Sequence, residues 1–222
     1  MHGRESSSRG RVIVVPGLAV HRYAEPPVDH LRVLGFDAEL LPAPAWRGEP
    51  DEIERYGRRL ADDLNRDGRR VAVLVGLSAG TQAAAVAATL TSLLDHLLLV
   101  SPTIDPSQRK LPKQLASWVK GDPHESGMFI RNLPDWARAG VPRILRGFRS
   151  AIELPLEDVL PQVRADVTIV HAEYDPLTSY DFASRLATAN SGRLLVAPGN
   201  SHSWPQDDPD GFAELIMELT GD

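Results

Sequence analysis

The sequence contains no cysteine among its 222 residues, which excludes disulfide frameworks, catalytic thiolates and cysteine-ligated zinc. It also lacks any run approaching the roughly 18 consecutive apolar residues that a membrane-spanning helix needs, so we expect no membrane partner. Positive charge is in deficit as well: the formal net charge of −6 argues against nucleic acid as the main partner. These features favour a cytoplasmic protein, although the lack of cysteine leaves a secreted one open.

The composition that remains is typical of a globular protein, with 42% hydrophobic and 24% charged residues. A chain of this length is expected to form one domain, or one domain with an insertion. Residues 1–10, MHGRESSSRG, lack the apolar segment of a signal peptide, and we expect them to form a disordered tail.

Short β-branched runs alternate with amphipathic stretches along most of the chain. Residues 11–15, RVIVV, are apolar almost throughout and stop at Pro16-Gly17, as expected for a strand buried on both faces. Further strands are predicted at residues 36–41, 70–76, 97–100, 167–172 and 194–197. Helices are predicted at residues 25–34, 50–65, 79–94, 179–190 and 209–219. Such alternation predicts an α/β fold whose parallel sheet is covered by helices on both faces.

One segment, residues 103–161, interrupts this alternation because it contains no convincing strand. Prolines divide it into short helical pieces, and its aromatic residues are Trp118, Phe129, Trp136 and Phe148. We expect a helical cap inserted between two halves of the core, residues 11–102 and 162–222. A long disordered loop is the alternative, but aromatic side chains that require burial argue against it.

A G-x-S-x-G pattern, Gly76-Leu77-Ser78-Ala79-Gly80, follows the third predicted strand and opens the next helix. In this context the serine lies at a sharp turn, and the flanking residues must be glycine or very small to avoid the crossing strand and helix. The turn lifts the Ser78 hydroxyl above the sheet, which is the position that a nucleophile needs. Alternatively, the serine only caps the helix.

A serine nucleophile needs a base and a residue that orients the base. Asp175 follows the fifth predicted strand and His202 follows the sixth, so the chain order is serine, acid, histidine. Because the carboxyl ends of parallel strands share one edge of a sheet, the three side chains are predicted to meet. Each partner has a plain alternative: Asp175 as a turn residue before Pro176, and His202 as an exposed loop histidine.

These pieces resemble the α/β-hydrolase superfamily from residue 11 to the C-terminus. The matching segments are VIVVPGLA near the start, VGLSAG around the serine, VTIVHAEYDPLTS at the acid and LLVAPGNSHSWPQDDPDGF at the histidine. The resemblance implies a three-layer α/β-hydrolase fold with about six mostly parallel strands and a helical cap insertion. It also implies an oxyanion hole formed by the backbone N–H groups of Leu18 and Ala79. Pro16 replaces the histidine usual in that family before Gly17, which alters the local hydrogen bonding but keeps the backbone donor.

The resemblance and the three residues together predict serine-dependent hydrolysis of an acyl ester or thioester through an acyl-enzyme intermediate. Ser78 would be the nucleophile, His202 the general base and Asp175 its orienting acid. No cofactor and no metal is expected, since metal-binding motifs such as H-E-x-x-H are absent from the sequence. The same site also serves cyclases, lyases and acyltransferases, and a non-catalytic small-molecule-binding protein is a third alternative.

The predicted cap is basic, whereas the whole chain is acidic. Residues 109–149 contain nine lysines and arginines against three acids. This excess is either a solvated surface or a means of attracting an anionic substrate or an acidic carrier protein. The cap residues expected to contact the substrate are Trp118, Phe129, Trp136, Phe148, Arg143 and Arg146.

Overall fold

Six parallel strands form a sheet at the centre of the molecule, in the order β2-β1-β3-β4-β5-β6. The computed structural model describes residues 9–109 and 128–222, so residues 1–8 of the predicted tail and Trp118 lie outside the described residues. The strands are β1 (Arg11–Val15), β2 (Asp37–Leu40), β3 (Val71–Leu77), β4 (Leu94–Val100), β5 (Asp166–Ala172) and β6 (Arg193–Ala197). Every neighbouring pair is parallel, which confirms the predicted parallel sheet.

Helices cover both faces of this sheet, which confirms the predicted three-layer architecture. They are α1 (Glu25–Val33), α2 (Ile53–Asp67), α3 (Gly80–Leu90), α4 (Met128–Ala139), α5 (Val141–Glu153), α6 (Leu156–Val159), α7 (Tyr180–Ala189), α8 (Trp204–Asp207) and α9 (Pro209–Thr220). One apolar core joins the sheet to α2, α3 and α7, with Leu74 and Phe182 fully buried in it. The other joins the opposite face to α1 and α9, around Val14 and Phe212. None of the described helices combines the length and apolarity needed to cross a membrane.

The boundary between α3 and β4 differs from the prediction. The predicted helix at residues 79–94 ends at Leu90, and β4 begins at Leu94 in place of residue 97. Thr91 adopts extended backbone angles, and its hydroxyl donates to the Asn65 amide oxygen at 2.8 Å while accepting from the Leu93 N–H. These two hydrogen bonds of the Thr91 side chain end α3 at Leu90. The pattern of apolar residues does not reveal them.

The order of the strands determines where a site can form. β1 pairs with β2 on one side and with β3 on the other, so the chain reverses direction across the sheet at β1. Val15 at the end of β1 is in register with Gly76 near the end of β3. The loops that follow these two strands therefore begin side by side, at the position where open α/β sheets bind ligands.

The described part of the predicted cap forms α4, α5 and α6, which lie against the core. In α5, the Ser150 hydroxyl accepts from the Ile53 N–H at 2.9 Å, and the Gln82 amide donates to the Ala151 carbonyl at 2.8 Å. These side-chain to backbone bonds hold α5 against the start of α2 and against α3.

Candidate active site

Ser78 lies in the turn between β3 and α3 with a φ of 53°, in the left-handed region that favours glycine. The turn is closed by a hydrogen bond from the Thr81 N–H to the Ser78 carbonyl at 3.0 Å. A Cβ on Gly76 would lie 2.5 Å from the Thr81 Cα, and one on Gly80 would lie 2.5 Å from the Pro16 carbonyl oxygen. Both glycines of the pattern are therefore required by backbone that crosses within contact distance.

His202 connects Ser78 to Asp175. Its Nε2 lies 2.9 Å from the Ser78 Oγ, and its Nδ1 lies 2.9 and 3.0 Å from the two oxygens of the Asp175 carboxylate. Because a carboxylate only accepts, the proton of the neutral imidazole belongs on Nδ1, and Nε2 is left to accept from the serine hydroxyl. The structure brings the three predicted residues together in the orientation that a base between a hydroxyl and an acid requires.

Asp175 is held in its ionised form although its side chain is fully buried. The N–H groups of Leu177 and Thr178 donate to its Oδ1 at 2.8 and 3.1 Å. Burial by itself would raise the pKa of the Asp175 carboxyl, but the charge and hydrogen bond of His202 and the Leu177 N–H outweigh it, so this pKa lies below its usual value. The site therefore keeps a buried anion beside the imidazole at neutral pH.

The loop that carries His202 is fixed by the loop that carries Asp175. The Tyr174 N–H donates to the Asn200 carbonyl at 2.9 Å, and the Glu173 carboxylate accepts from the Gly199 N–H at 2.8 Å. The Glu173 side chain thus has a backbone partner. Within the described ranges, no group of three or more histidine, aspartate or glutamate side chains is arranged to hold a metal ion.

The two predicted oxyanion donors flank the serine. Leu18 and Ala79 border one small cavity together with Ser78. Among the described residues, neither backbone N–H donates to a protein acceptor, so both remain available to a ligand. The neighbouring Gly17 N–H does have a partner, since it donates to the Tyr23 hydroxyl at 2.9 Å. This contact, which the sequence did not reveal, holds the turn that follows Pro16.

The predicted cap aromatics that the structure describes lie on two different helices. Phe148 on α5 borders the cavity beside Ser78. Trp136 on α4 is partly buried and packs against the core cluster that includes α2 and α3. Phe129 lies in the first turn of α4. Among the aromatic side chains that the structure describes, Phe148 shares a cavity with Ser78.

The guanidinium groups of Arg143 and Arg146, which the sequence predicts to bind the substrate, have partners in the loop between β2 and α2, and substrate binding by them stays a prediction. Arg143 donates to the Ala45 carbonyl at 2.9 Å and to the Trp46 carbonyl at 3.1 Å. Arg146 forms an ion pair with Asp51 at 2.7 Å. Both arginines attach α5 to the loop between β2 and α2, and neither borders the cavity at Ser78.

Asp135 on α4 was not identified from the sequence as a residue that shapes the site. Its side chain is buried and accepts from the N–H groups of His21 and Arg22 at 2.8 and 3.1 Å. These two N–H groups belong to the loop that starts at Gly17 and Leu18, so α4 stabilises the far end of the oxyanion loop. No spacing pattern links an aspartate to a loop more than a hundred residues earlier, and only the tertiary fold shows the contact.

The chain is similar to a protein family model and to solved structures along nearly its whole length. The family model described as "Alpha/beta hydrolase family" matches residues 10–215. No curated protein matches the chain. Similar solved structures include an esterase from Exiguobacterium antarcticum, with 16% identity, a TM-score of 0.76 and coverage of 97% of this chain and 93% of that one.

Two further solved structures have a similar sequence identity to this chain. A monoacylglycerol lipase from Paleococcus ferrophilus has 16% identity and a TM-score of 0.70, with coverage of 96% of this chain and 95% of that one. A hydrolase from Pseudomonas aeruginosa has 15% identity and a TM-score of 0.69, with coverage of 100% and 92%. At this level of identity the likeness concerns the fold.

Proposed function

Because the chain belongs to the alpha/beta hydrolase family, we propose that it is a serine hydrolase that cleaves acyl esters or thioesters through an acyl-enzyme intermediate. The observation that carries this proposal is the hydrogen-bond chain from the Ser78 Oγ through His202 to Asp175, with 2.9 Å at each junction. Such distances permit proton transfer from a hydroxyl to an imidazole. The similar structures from Exiguobacterium antarcticum and Paleococcus ferrophilus are named as an esterase and a lipase, which favours ester substrates here.

The chemistry follows from the order of the three groups. The Ser78 Oγ attacks the substrate carbonyl carbon as its proton passes to the His202 Nε2. The imidazolium gives that proton to the leaving oxygen or sulfur as the bond to the acyl carbon breaks, and the acyl group stays on Ser78. A water molecule that loses its proton to His202 then attacks the acyl carbon, and the acid is released as Ser78 is reprotonated. Asp175 remains ionised and stabilises the imidazolium.

The negative charge that develops on the substrate oxygen needs donors that are already in place. Leu18 and Ala79 border the cavity at Ser78, and their backbone N–H groups have no acceptor among the described residues. Loss of one such donor typically costs about 3 kcal/mol of transition-state stabilisation. We assign the two N–H groups to this oxyanion.

A fluorophosphonate probe tests the proposal, because it reacts covalently with an activated serine. We expect the wild-type protein to be labelled and Ser78→Ala not to be, while Ser184→Ala, a change in α7 away from the site, is labelled like the wild type. A panel of p-nitrophenyl esters and acyl thioesters then tests hydrolysis, with turnover of at least one expected. Labelling without any turnover would contradict hydrolysis and favour a cyclase, lyase or acyltransferase. Absence of labelling would contradict an activated serine and favour a binding protein.

A further inference from the structure

A cavity of about 40 Å³ is bordered by Ser78 and by the two predicted oxyanion donors, Leu18 and Ala79. Its other walls come from the oxyanion loop, the loop after β4, α5 and the loop after β5. They are formed by Val20, Thr103, Ile104, Phe148, Ala151 and Leu177. Apart from the hydroxyl groups of Ser78 and Thr103, the side chains around it are apolar, so the cavity suits a small hydrocarbon group.

The position of His202 distinguishes the two ends of a substrate. Its Nε2 lies 2.9 Å from the Ser78 Oγ, yet His202 is not among the described residues that border the cavity. A leaving group must reach His202 to receive its proton, whereas the acyl carbon must lie at Ser78 with its oxygen at Leu18 and Ala79. The cavity is bordered by Ser78, Leu18 and Ala79 but not by His202. It is therefore suited to the acyl group of the substrate and not to the leaving group.

We propose that this cavity is the acyl pocket and that it restricts the substrate to acyl groups of about two or three carbons. The inference rests on the proposed serine hydrolase function and adds the class of substrate. Roughly 10–15 Å³ of such cavity volume is enough to hold one water molecule, and a methyl or methylene group needs a comparable space. A cavity of about 40 Å³ therefore holds the methyl group of an acetyl or the ethyl group of a propionyl ester.

Packing of α5 keeps the pocket from widening. Phe148 and Ala151 are 7% and 2% exposed, and the Gln82 amide holds the Ala151 carbonyl at 2.8 Å. A Cβ on Gly147 would collide with the Leu18 side chain, so this glycine lets α5 lie directly against the oxyanion loop. A longer acyl chain would have to displace a helix that is hydrogen-bonded to the core.

The first experiment compares p-nitrophenyl acetate, propionate, butyrate, hexanoate and octanoate on the wild-type protein. All five share one leaving group, and each kcat/KM is divided by the rate of uncatalysed hydrolysis to remove differences in intrinsic reactivity. We expect the highest values for acetate and propionate and a loss of about tenfold for each further methylene, since forcing an extra methylene into a filled site is costly. Hexanoate turned over within threefold of acetate would overturn the proposal.

Substitutions in the cavity wall test whether the acyl group lies in this particular cavity. Ala151→Val narrows it and is expected to lower kcat/KM for propionate about tenfold more than for acetate. Phe148→Leu widens it and is expected to raise the butyrate to acetate ratio about tenfold. Leu145→Ala, on the same helix but at a partly exposed position outside the cavity, is the matched control and should keep the wild-type profile. Thermal unfolding verifies that each variant is folded.

The results of these experiments distinguish a failure of the pocket assignment from a failure of the proposed hydrolase function. Folded Ala151→Val and Phe148→Leu proteins with unchanged chain-length profiles would show that the acyl group lies elsewhere. If the fluorophosphonate labels Ser78 while long and short esters react equally, the size limit is wrong and the serine hydrolase function stands. If Ser78 is not labelled and no ester is turned over, the proposed function fails and the pocket assignment fails with it.

Discussion

At the scale of single residues, the Ser78 hydroxyl is one oxygen in a turn whose backbone accommodates alanine as readily as serine. Ser78→Ala is therefore expected to change the free energy of unfolding by no more than about 0.5 kcal/mol. The kcat for ester hydrolysis should fall about 10⁴-fold or more, because the members of such a unit depend on one another. Steady-state kinetics and denaturant unfolding of the same preparation measure both quantities. A variant that keeps a tenth of the wild-type activity would contradict the nucleophile assignment.

His202 and Asp175 are expected to differ in how far their loss lowers kcat. His202→Ala should be as damaging as Ser78→Ala, and the double variant no worse than either, because the hydroxyl and the imidazole act together. Asp175→Asn should cost about 10³–10⁴-fold, since the imidazole then loses its anionic partner. Glu173→Gln is the matched control, because Glu173 binds the Gly199 N–H and not the imidazole. A silent Asp175→Asn would mean that another acid orients His202.

Some roles of single residues can be predicted from the sequence and others cannot. The glycines at positions 76 and 80 can, because the backbone that a Cβ would strike is part of the same short motif or of the strand beside it. The role of Tyr23 cannot be predicted, because nothing in the residue spacing indicates that its hydroxyl accepts a hydrogen bond from the Gly17 N–H. The difference is that the glycines belong to a G-x-S-x-G motif whose steric requirement recurs in every such turn, whereas the hydrogen bond of Tyr23 depends on how its own loop folds.

At the scale of elements, hydrophobic periodicity predicts the four inner strands β1, β3, β4 and β5 best, because most of their residues are buried and form nearly continuous apolar runs. The position of α5 could not be predicted in the same way. Arg143 on this helix donates hydrogen bonds to backbone carbonyls. Every residue has a backbone carbonyl, so the sequence of the loop does not indicate these contacts. A count of basic residues therefore does not reveal that Arg143 and Arg146 anchor α5 to the loop between β2 and α2.

This anchoring role of Arg143 can be tested by stability. Arg143→Met keeps the aliphatic part of the side chain and leaves carbonyls of the loop between β2 and α2 unpaired, so it should lower the free energy of unfolding by about 1–3 kcal/mol. Arg149→Met on the same helix is the matched control. Its ion pair with Glu153 is exposed to solvent and is therefore expected to contribute little to the free energy of unfolding. Denaturant unfolding measures both, and equal losses would contradict the assignment of Arg143 as the anchor.

At the scale of the whole molecule, the strand order brings the site together from four separate loops. The loops after β1, β3, β5 and β6 supply Leu18, Ser78, Asp175 and His202. That these loops share one edge of the sheet is predictable from the alternation of strands and helices. The distances of 2.9 Å between the side chains are not, because they depend on turns such as the one that the Gly199 N–H and Glu173 hold.

Charge is also a property of the whole molecule. Several of the basic residues counted in the predicted cap are paired with acids or lie over an aromatic ring. Arg109 pairs with Glu157, Arg143 and Arg146 with Asp51, and Arg149 with Glu153, while Arg138 lies 4.2 Å from the centre of the Trp46 ring. These five arginines are therefore less free to attract an anion than their number suggests. Attraction of an anionic substrate or an acidic carrier protein stays a prediction.

Stability of the whole molecule should depend on pH through His171. This β5 residue is 6% exposed, and its Nδ1 has no hydrogen-bond partner among the described residues. Burial holds the pKa of His171 below the ordinary value of 6.5, although the charge of Asp175 opposes the effect. The unfolded chain thus binds a proton here near pH 6.5 and the folded chain only at lower pH. The free energy of unfolding must then decrease as the pH falls below about 6.5, until the folded form is protonated too.

His171→Phe removes this titration and keeps a ring beside Tyr180, whose centre lies 5.8 Å from that of His171. We expect the wild-type protein to lose more unfolding free energy than this variant between pH 7.5 and pH 5, as measured by denaturant unfolding in matched buffers. Carboxylates whose pKa values are lowered, such as Asp175, contribute only below about pH 4 and do not affect the comparison. His96→Gln, at a partly exposed position on β4, is the control and should follow the wild type. Parallel curves for the wild type and His171→Phe would show that burial of this imidazole is not coupled to protonation, and the acid sensitivity of the fold would then have to come from another group.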